Sequence, residues 1–202
     1  MATTVGAADV KILRERTGAG MMDCKAALEE ANNSLEKAVE ILRVKGQADA
    51  AKRGSREAGE GAIASYVHVT GKIGVLVEVL CETDFVARND EFKEFTSEVA
   101  LHVAAANPQY VSVDEVPDDA KQTEREILEQ QTDPNKPAEI RTKMVEGRLS
   151  KWLKEIVLLD QEHVNTAKHD GKTIEEIRTE VAAKMGENVI IKRFVRFEIG
   201  VN

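Results

Sequence analysis

The side chains that most often carry chemistry are thinly spread in this sequence. His68, His102, His163 and His169 show no zinc-like spacing among themselves or with Cys24 and Cys81. Gly18-Ala19-Gly20 falls between predicted helices rather than after a strand, so it does not read as a phosphate cradle. No serine sits in a nucleophile-elbow context. These absences point away from an enzyme. The stretch with functional character is Glu82-Thr83-Asp84-Phe85-Val86-Ala87-Arg88-Asn89-Asp90-Glu91-Phe92. It joins Ile73 to Cys81, a run that reads as a buried strand, to a helix-like run from Phe92 to Ala106. Polar residues belong at such a junction, where they satisfy the free amides of the helix start. A phenylalanine is less expected, because its ring must find either a core or a partner.

Two readings of Phe85 follow from the pattern. If one helix runs unbroken from Asp84, Phe85 heads the stripe Phe92, Phe95, Val99, Val103 and is core. If Asn89 caps the main helix, Phe85 belongs to a separate turn and need not follow that stripe. Asn89 is a good cap, and Asp90 and Glu91 fall where the helix dipole favours acids. Periodicity alone leaves both readings open.

The elements that must position this stretch are set by length and composition. A chain of 202 residues holds one sizeable core and a small satellite. Its 42% hydrophobic and 32% charged content suits a globular protein with long solvated helices. The net charge of −8 argues against general affinity for nucleic acid or for an anionic membrane. No apolar run approaches the roughly 20 residues that span a bilayer. Met1 to Val10 carries an acid and no signal-like apolar block. Cys24 and Cys81 lie among apolar residues and read as reduced core thiols of a cytoplasmic protein.

Residues 7–46 read as three short helices. Val10, Leu13 and Ile12 mark the first, and the second runs from about Met21 to Ala31 on Met22, Cys24, Ala27 and Leu28. Asn33 with Glu36 suggests a capping box for the third, which offers Leu35, Val39, Leu42 and Val44 and stops at Gly46. Adjacent Met21 and Met22 cannot both face inward, so one is exposed or both form an adaptable contact surface. Residues 47–61 hold no large apolar side chain and read as a linker, helical at its start, with Lys52, Arg53 and Arg56 on a solvated face. The boundary falls near Gly54, giving domains 1–53 and 54–202.

Beyond it, Ala62 to Val69 and Ile73 to Cys81 read as strands joined tightly through Thr70-Gly71-Lys72, with Val189 to Ile199 as a third. The fold class is α+β: a three-stranded antiparallel sheet packed with helices 90–106 and 174–185. A helical hairpin at about 118–162 should project from it. Its first helix carries Ala120, Ile127 and Leu128, and Thr132 to Pro137 breaks the chain. Its second repeats Val145, Leu149, Trp152 and Ile156 at helical spacing. Trp152 reads as packing at the hairpin base.

Two stretches, Arg16 to Leu28 (R-T-G-A-G-M-M-D-C-K-A-A-L) and Glu82 to Phe92, resemble the signatures of the elongation factor Ts family. That family exchanges nucleotide on the translational GTPase elongation factor Tu. The likeness extends through Leu101 to Tyr110, Lys143 to Leu149 and Arg196 to Gly200, nearly the whole chain. It implies an N-terminal ubiquitin-associated-like three-helix domain and an α+β core with a helical hairpin. It implies that Thr83, Asp84, Phe85 and Val86 enter the GTPase near its magnesium and phosphate site. There the ring wedges between partner elements, magnesium is displaced and GDP leaves. By position, Met21, Met22 and Lys25 match the surface with which the N-terminal domain grips the GTPase. No cofactor and no metal of its own is implied. Longer members carry two core lobes and a C-terminal extension; a single lobe implies a homodimer.

Overall fold

A computed structural model describes residues 5–200. The N-terminal helices are α1 (Ala7–Thr17), α2 (Met21–Glu30) and α3 (Leu35–Arg53). The strands are β1 (Glu60–Val67), β2 (Ile73–Cys81) and β3 (Ile190–Glu198), in one sheet ordered β1-β2-β3. Between β2 and β3 come α4 (Asp84–Ala87), α5 (Asp90–Ala106), α6 (Asp118–Gln130), α7 (Ala138–Ile156), α8 (Thr166–His169) and α9 (Ile174–Met185). The fold is α+β, with the expected three-stranded antiparallel sheet. No helix among the described residues is long and apolar enough to cross a membrane. The chain divides into two compact units. One takes the N-terminal residues through Ala64 with Glu78–Thr96 and Glu176–Ile191; the other takes Ser65–Val77, Ser97–Glu175 and the chain from Lys192.

In the first unit, Leu13, Cys24, Ala27, Leu28, Ala31, Ala38 and Leu42 form the core of the three N-terminal helices. Three expectations are corrected here. Ile12 and Val44 are exposed, because the inward stripe runs through Leu13, Ala38 and Leu42 instead. The cap of α3 is Ser34, whose hydroxyl accepts from the Lys37 N–H at 3.4 Å, and not Asn33. Asn32 and Asn33 both adopt positive φ, 51° and 63°, and so belong to the turn before the cap. Helix α3 also runs through Gly46 to Arg53 rather than stopping. A mid-helix glycine costs only about 1 kcal/mol. At Gly46 a Cβ would lie 3.7 Å from that of Ala183 on α9, an ordinary contact distance, so the glycine is not demanded by packing there. Arg43 pairs with Glu176 of α9 at 3.2 Å. Gly61 admits no side chain, because a Cβ would stand 2.2 Å from the Val79 carbonyl oxygen on β2.

Central strand β2 alternates, burying Val75, Val77, Val79 and Cys81. In the second unit its outward Leu76 lies exposed, as do Val67, Val69, Val195, Phe197 and Ile199. The turn into β2 closes through Gly71, at φ 66°, whose N–H donates to the His68 carbonyl. Helix α5 buries the whole expected stripe of Phe92, Phe95, Val99 and Val103. Helices α6 and α7 meet through Leu128, Val145 and Leu149. Trp152 packs against that cluster and against Val116, Ile156 and Val157, where the sequence placed it.

Candidate functional site

Strand β2 delivers the chain to Thr83, which opens a helix of a single turn. The Thr83 hydroxyl accepts from the Val86 N–H at 3.4 Å, and Asp84 pairs with Arg88 at 3.0 Å across the turn. Helix α5 then starts independently: the Asn89 side-chain oxygen accepts from the Glu91 N–H at 2.9 Å. Two caps seven residues before and one residue before α5 therefore isolate Phe85 from the stripe. Its ring is 86% exposed, whereas that of Phe92 is fully buried. The core reading of Phe85 is removed by this geometry. A ring held in water at that level is available to whatever can bury it.

The turn is tied from below. The Cys81 thiol donates to the Thr83 carbonyl at 3.2 Å, and burial pushes that thiol up to about 11. Cys24 is likewise buried and raised by desolvation, so both cysteines are unreactive core thiols. Glu187, just beyond α9, accepts from the Glu82 N–H at 3.0 Å, the Thr83 N–H at 3.1 Å and the Thr83 hydroxyl at 2.6 Å. Sequence reasoning missed Glu187, since nothing local joins it to a residue more than a hundred positions earlier.

On α2, Met21 and Met22 are 60% and 76% exposed. The inward face is Cys24, Ala27 and Leu28, so Met22 does not join it and both thioether side chains face solvent. Lys25 is also exposed, in a loose 3.8 Å pair with Glu29. Asp23 is engaged by Lys45 of α3.

The histidines are not scattered in space. In the second unit His102 and His163 stack with ring centroids 5.4 Å apart, and His163 meets His169 edge-on at 4.3 Å. Glu98, His163 and His169 bring potential ligand atoms within 4.8 Å of one another. The hydrogen bonds assign the cluster another role. His163 Nδ1 accepts from the Asn165 N–H at 3.0 Å, so its proton sits on Nε2, aimed at the Glu98 carbonyl. A cation at Nε2 would need that proton on Nδ1, against a backbone donor. Lys168 and His169 already hold the Glu98 carboxylate, at 2.6 and 3.0 Å. His102 Nδ1 accepts from the Val164 N–H, and its Nε2 faces Gln161 at 2.8 Å. Burial lowers His102 to about 4 and lowers His163 as well, which keeps both rings neutral. The cluster fastens residues 161–169 to α5.

A family model described as elongation factor Ts matches residues 21–200. The chain belongs to the elongation factor Ts family. It is 56% identical over 192 residues to elongation factor Ts of Carboxydothermus hydrogenoformans, covering 95% of this chain and 87% of that one. It is 53% identical over 197 residues to elongation factor Ts of a Thermoanaerobacter species, covering 97% and 95%. With elongation factor Ts of Alkaliphilus metalliredigens it shares 56% over 198 residues, 98% of this chain and 90% of that one. These coverages put the chain in the same length class as those relatives. The elongation factor Ts family comprises nucleotide exchange factors of translation elongation.

Proposed function

We propose that this chain is the guanine-nucleotide exchange factor for elongation factor Tu, and that Phe85 is its acting residue. The observation that carries the reading is the exposed Phe85 ring on a turn capped by Thr83. On binding, the Thr83-Asp84-Phe85-Val86 turn enters the GTPase beside its magnesium and phosphate site. The ring is buried between partner elements, which contributes roughly 2–3 kcal/mol. Asp84 contacts a neighbouring helix, the magnesium is displaced, and the β-phosphate loses the hard cation that held it. Met21, Met22 and Lys25 supply the grip, two flexible thioethers and one cation on the exposed side of α2.

The thermodynamics is linkage. A factor that prefers the nucleotide-free GTPase weakens GDP by the same ratio by which GDP weakens it. Each tenfold of that coupling takes about 1.4 kcal/mol, so a single buried ring supplies part and the displaced cation more. No bond is made or broken, and the protein is not an enzyme in that sense. The N-terminal module 1–53 grips and the core 54–202 acts. The core also pairs as a homodimer through the outward sheet face of Val67, Leu76, Val195 and Phe197, an apolar set that water covers poorly. The protein works in the cytoplasm, binding neither membrane nor nucleic acid directly, in keeping with its −8 charge. The test is release of labelled GDP from elongation factor Tu with and without the chain. Release no faster than the spontaneous rate at micromolar chain overturns the proposal.

A further inference from the structure

The Thr83 turn is short, and its internal contacts, a 3.4 Å cap and an exposed Asp84–Arg88 pair, are too weak to fix its shape alone. A helix of one turn is far below the length that is stable alone. An exposed aromatic ring on such a turn would be expected to fold back onto nearby apolar surface. The restraint comes from the segment after α9, where Gly186 at φ 73° ends the helix and turns the chain. Glu187 then spreads one carboxylate over the base of the turn, one oxygen on the Glu82 and Thr83 amides and the other on the Thr83 hydroxyl. The neighbouring residue answers in the opposite sense: the Asn188 N–H donates to Glu82 Oε1 at 2.6 Å. Asn188 Nδ2 also donates to the Arg56 carbonyl at 3.0 Å, while the Arg56 side chain reaches Glu82 at 3.4 Å. Each of the two facing segments thus offers a carboxylate to the backbone of the other.

We propose that Glu187 is a positioning residue for nucleotide exchange, fixing the Thr83 turn so that Phe85 is presented to the partner before binding. The inference rests on the reading of Phe85 as the residue that acts on the GTPase. Hydrogen bonds to an ionised acceptor are stronger than neutral ones, and three of them converge on this carboxylate. Ordering the turn in the free protein removes that cost from the step in which GDP is displaced. Glu187 does not touch the partner in this account; it acts through Phe85.

The experiment is a double-variant cycle on the full chain, read as GDP release from elongation factor Tu across a concentration series. Glu187→Ala should lower the maximal release rate about tenfold, with Glu187→Gln, which keeps one acceptor oxygen, falling between it and wild type. The concentration for half-maximal effect should stay close to wild type, since the α2 surface is untouched. In a Phe85→Ala background, Glu187→Ala should add nothing, because non-additivity marks residues that act as one unit. A merely structural role would slow both backgrounds alike. Should Glu187→Ala not fold, Glu187→Gln carries the same cycle. A wild-type maximal rate in the Glu187 variants, or a slowing that adds to that of Phe85→Ala, overturns the inference while leaving the Phe85 reading intact. A wild-type rate in Phe85→Ala itself overturns the parent reading, a distinct result.

Discussion

Phe85 and Phe92 are the same side chain seven residues apart, and their surroundings assign them opposite tasks. Phe92 is fully buried at the head of the α5 stripe; Phe85 stands in solvent on its own capped turn. Phe92→Ala should therefore cost about 3–5 kcal/mol, as truncation of a buried phenylalanine does. Phe85→Ala removes no packing and should leave the thermal midpoint within about 3 °C of wild type. Its effect should surface in GDP release, slowed about tenfold or more, because the lost contact is made in the nucleotide-displacing complex. Calorimetry and GDP release on both variants check the pair. A badly destabilised Phe85→Ala, or one with full activity, contradicts the assignment.

At the scale of elements, the loop leading through α8 is held by imidazoles that must stay neutral. His102 and His163 each use Nδ1 to accept a backbone N–H, which protonation would abolish. Their folded pKa values lie below the unfolded value near 6.5, His102 at about 4. The unfolded chain then binds more protons than the folded one between those limits. Stability is fully present above pH 6.5 and is lost as pH falls from about 6.5 toward 4, by a few kcal/mol. Thermal midpoints measured from pH 8 to 4 should drop across that window, and His102→Gln should flatten the slope. A midpoint unchanged between pH 7 and 4.5 would refute this account of the cluster. The β1–β2 pairing offers a sharper steric case. Gly61→Ala places a methyl on the Val79 carbonyl, which only separation of the strands relieves, so it should lower the midpoint markedly.

At the scale of the molecule, a three-stranded sheet with one apolar face in water asks for a cover. Sedimentation at micromolar concentration should give about twice the 22.2 kDa chain mass, and Phe197→Asp should return the monomer. A wild-type monomer would remove the dimer. Deleting residues 1–53 should weaken GTPase binding yet leave some exchange at high concentration. The deletion also removes the Arg43–Glu176 pair. A fall of a few degrees in the midpoint is therefore expected, but not loss of folding. Aggregation of the truncated core would move the boundary.

What the sequence determined by itself was local and periodic. The 3.6-residue stripe of α5, the apolar run of β2, the Trp152 repeat of α7 and the Asn89 cap depend on neighbours within a few positions, and each stands where its pattern put it. Local patterns failed where two signals competed. Asn33 read as the cap, but the backbone places it at positive φ and Ser34 takes that role; Gly46 looked like a stop, yet α3 runs through it to Arg53. Periodicity left Phe85 undecided, because a residue between two caps has no stripe to obey. Only the tertiary structure could gather His102, His163 and His169 around Glu98, or bring Glu187 to a turn 104 residues before it. Such contacts depend on how the elements fold back on one another, and the spacing of residues along a chain carries no record of that.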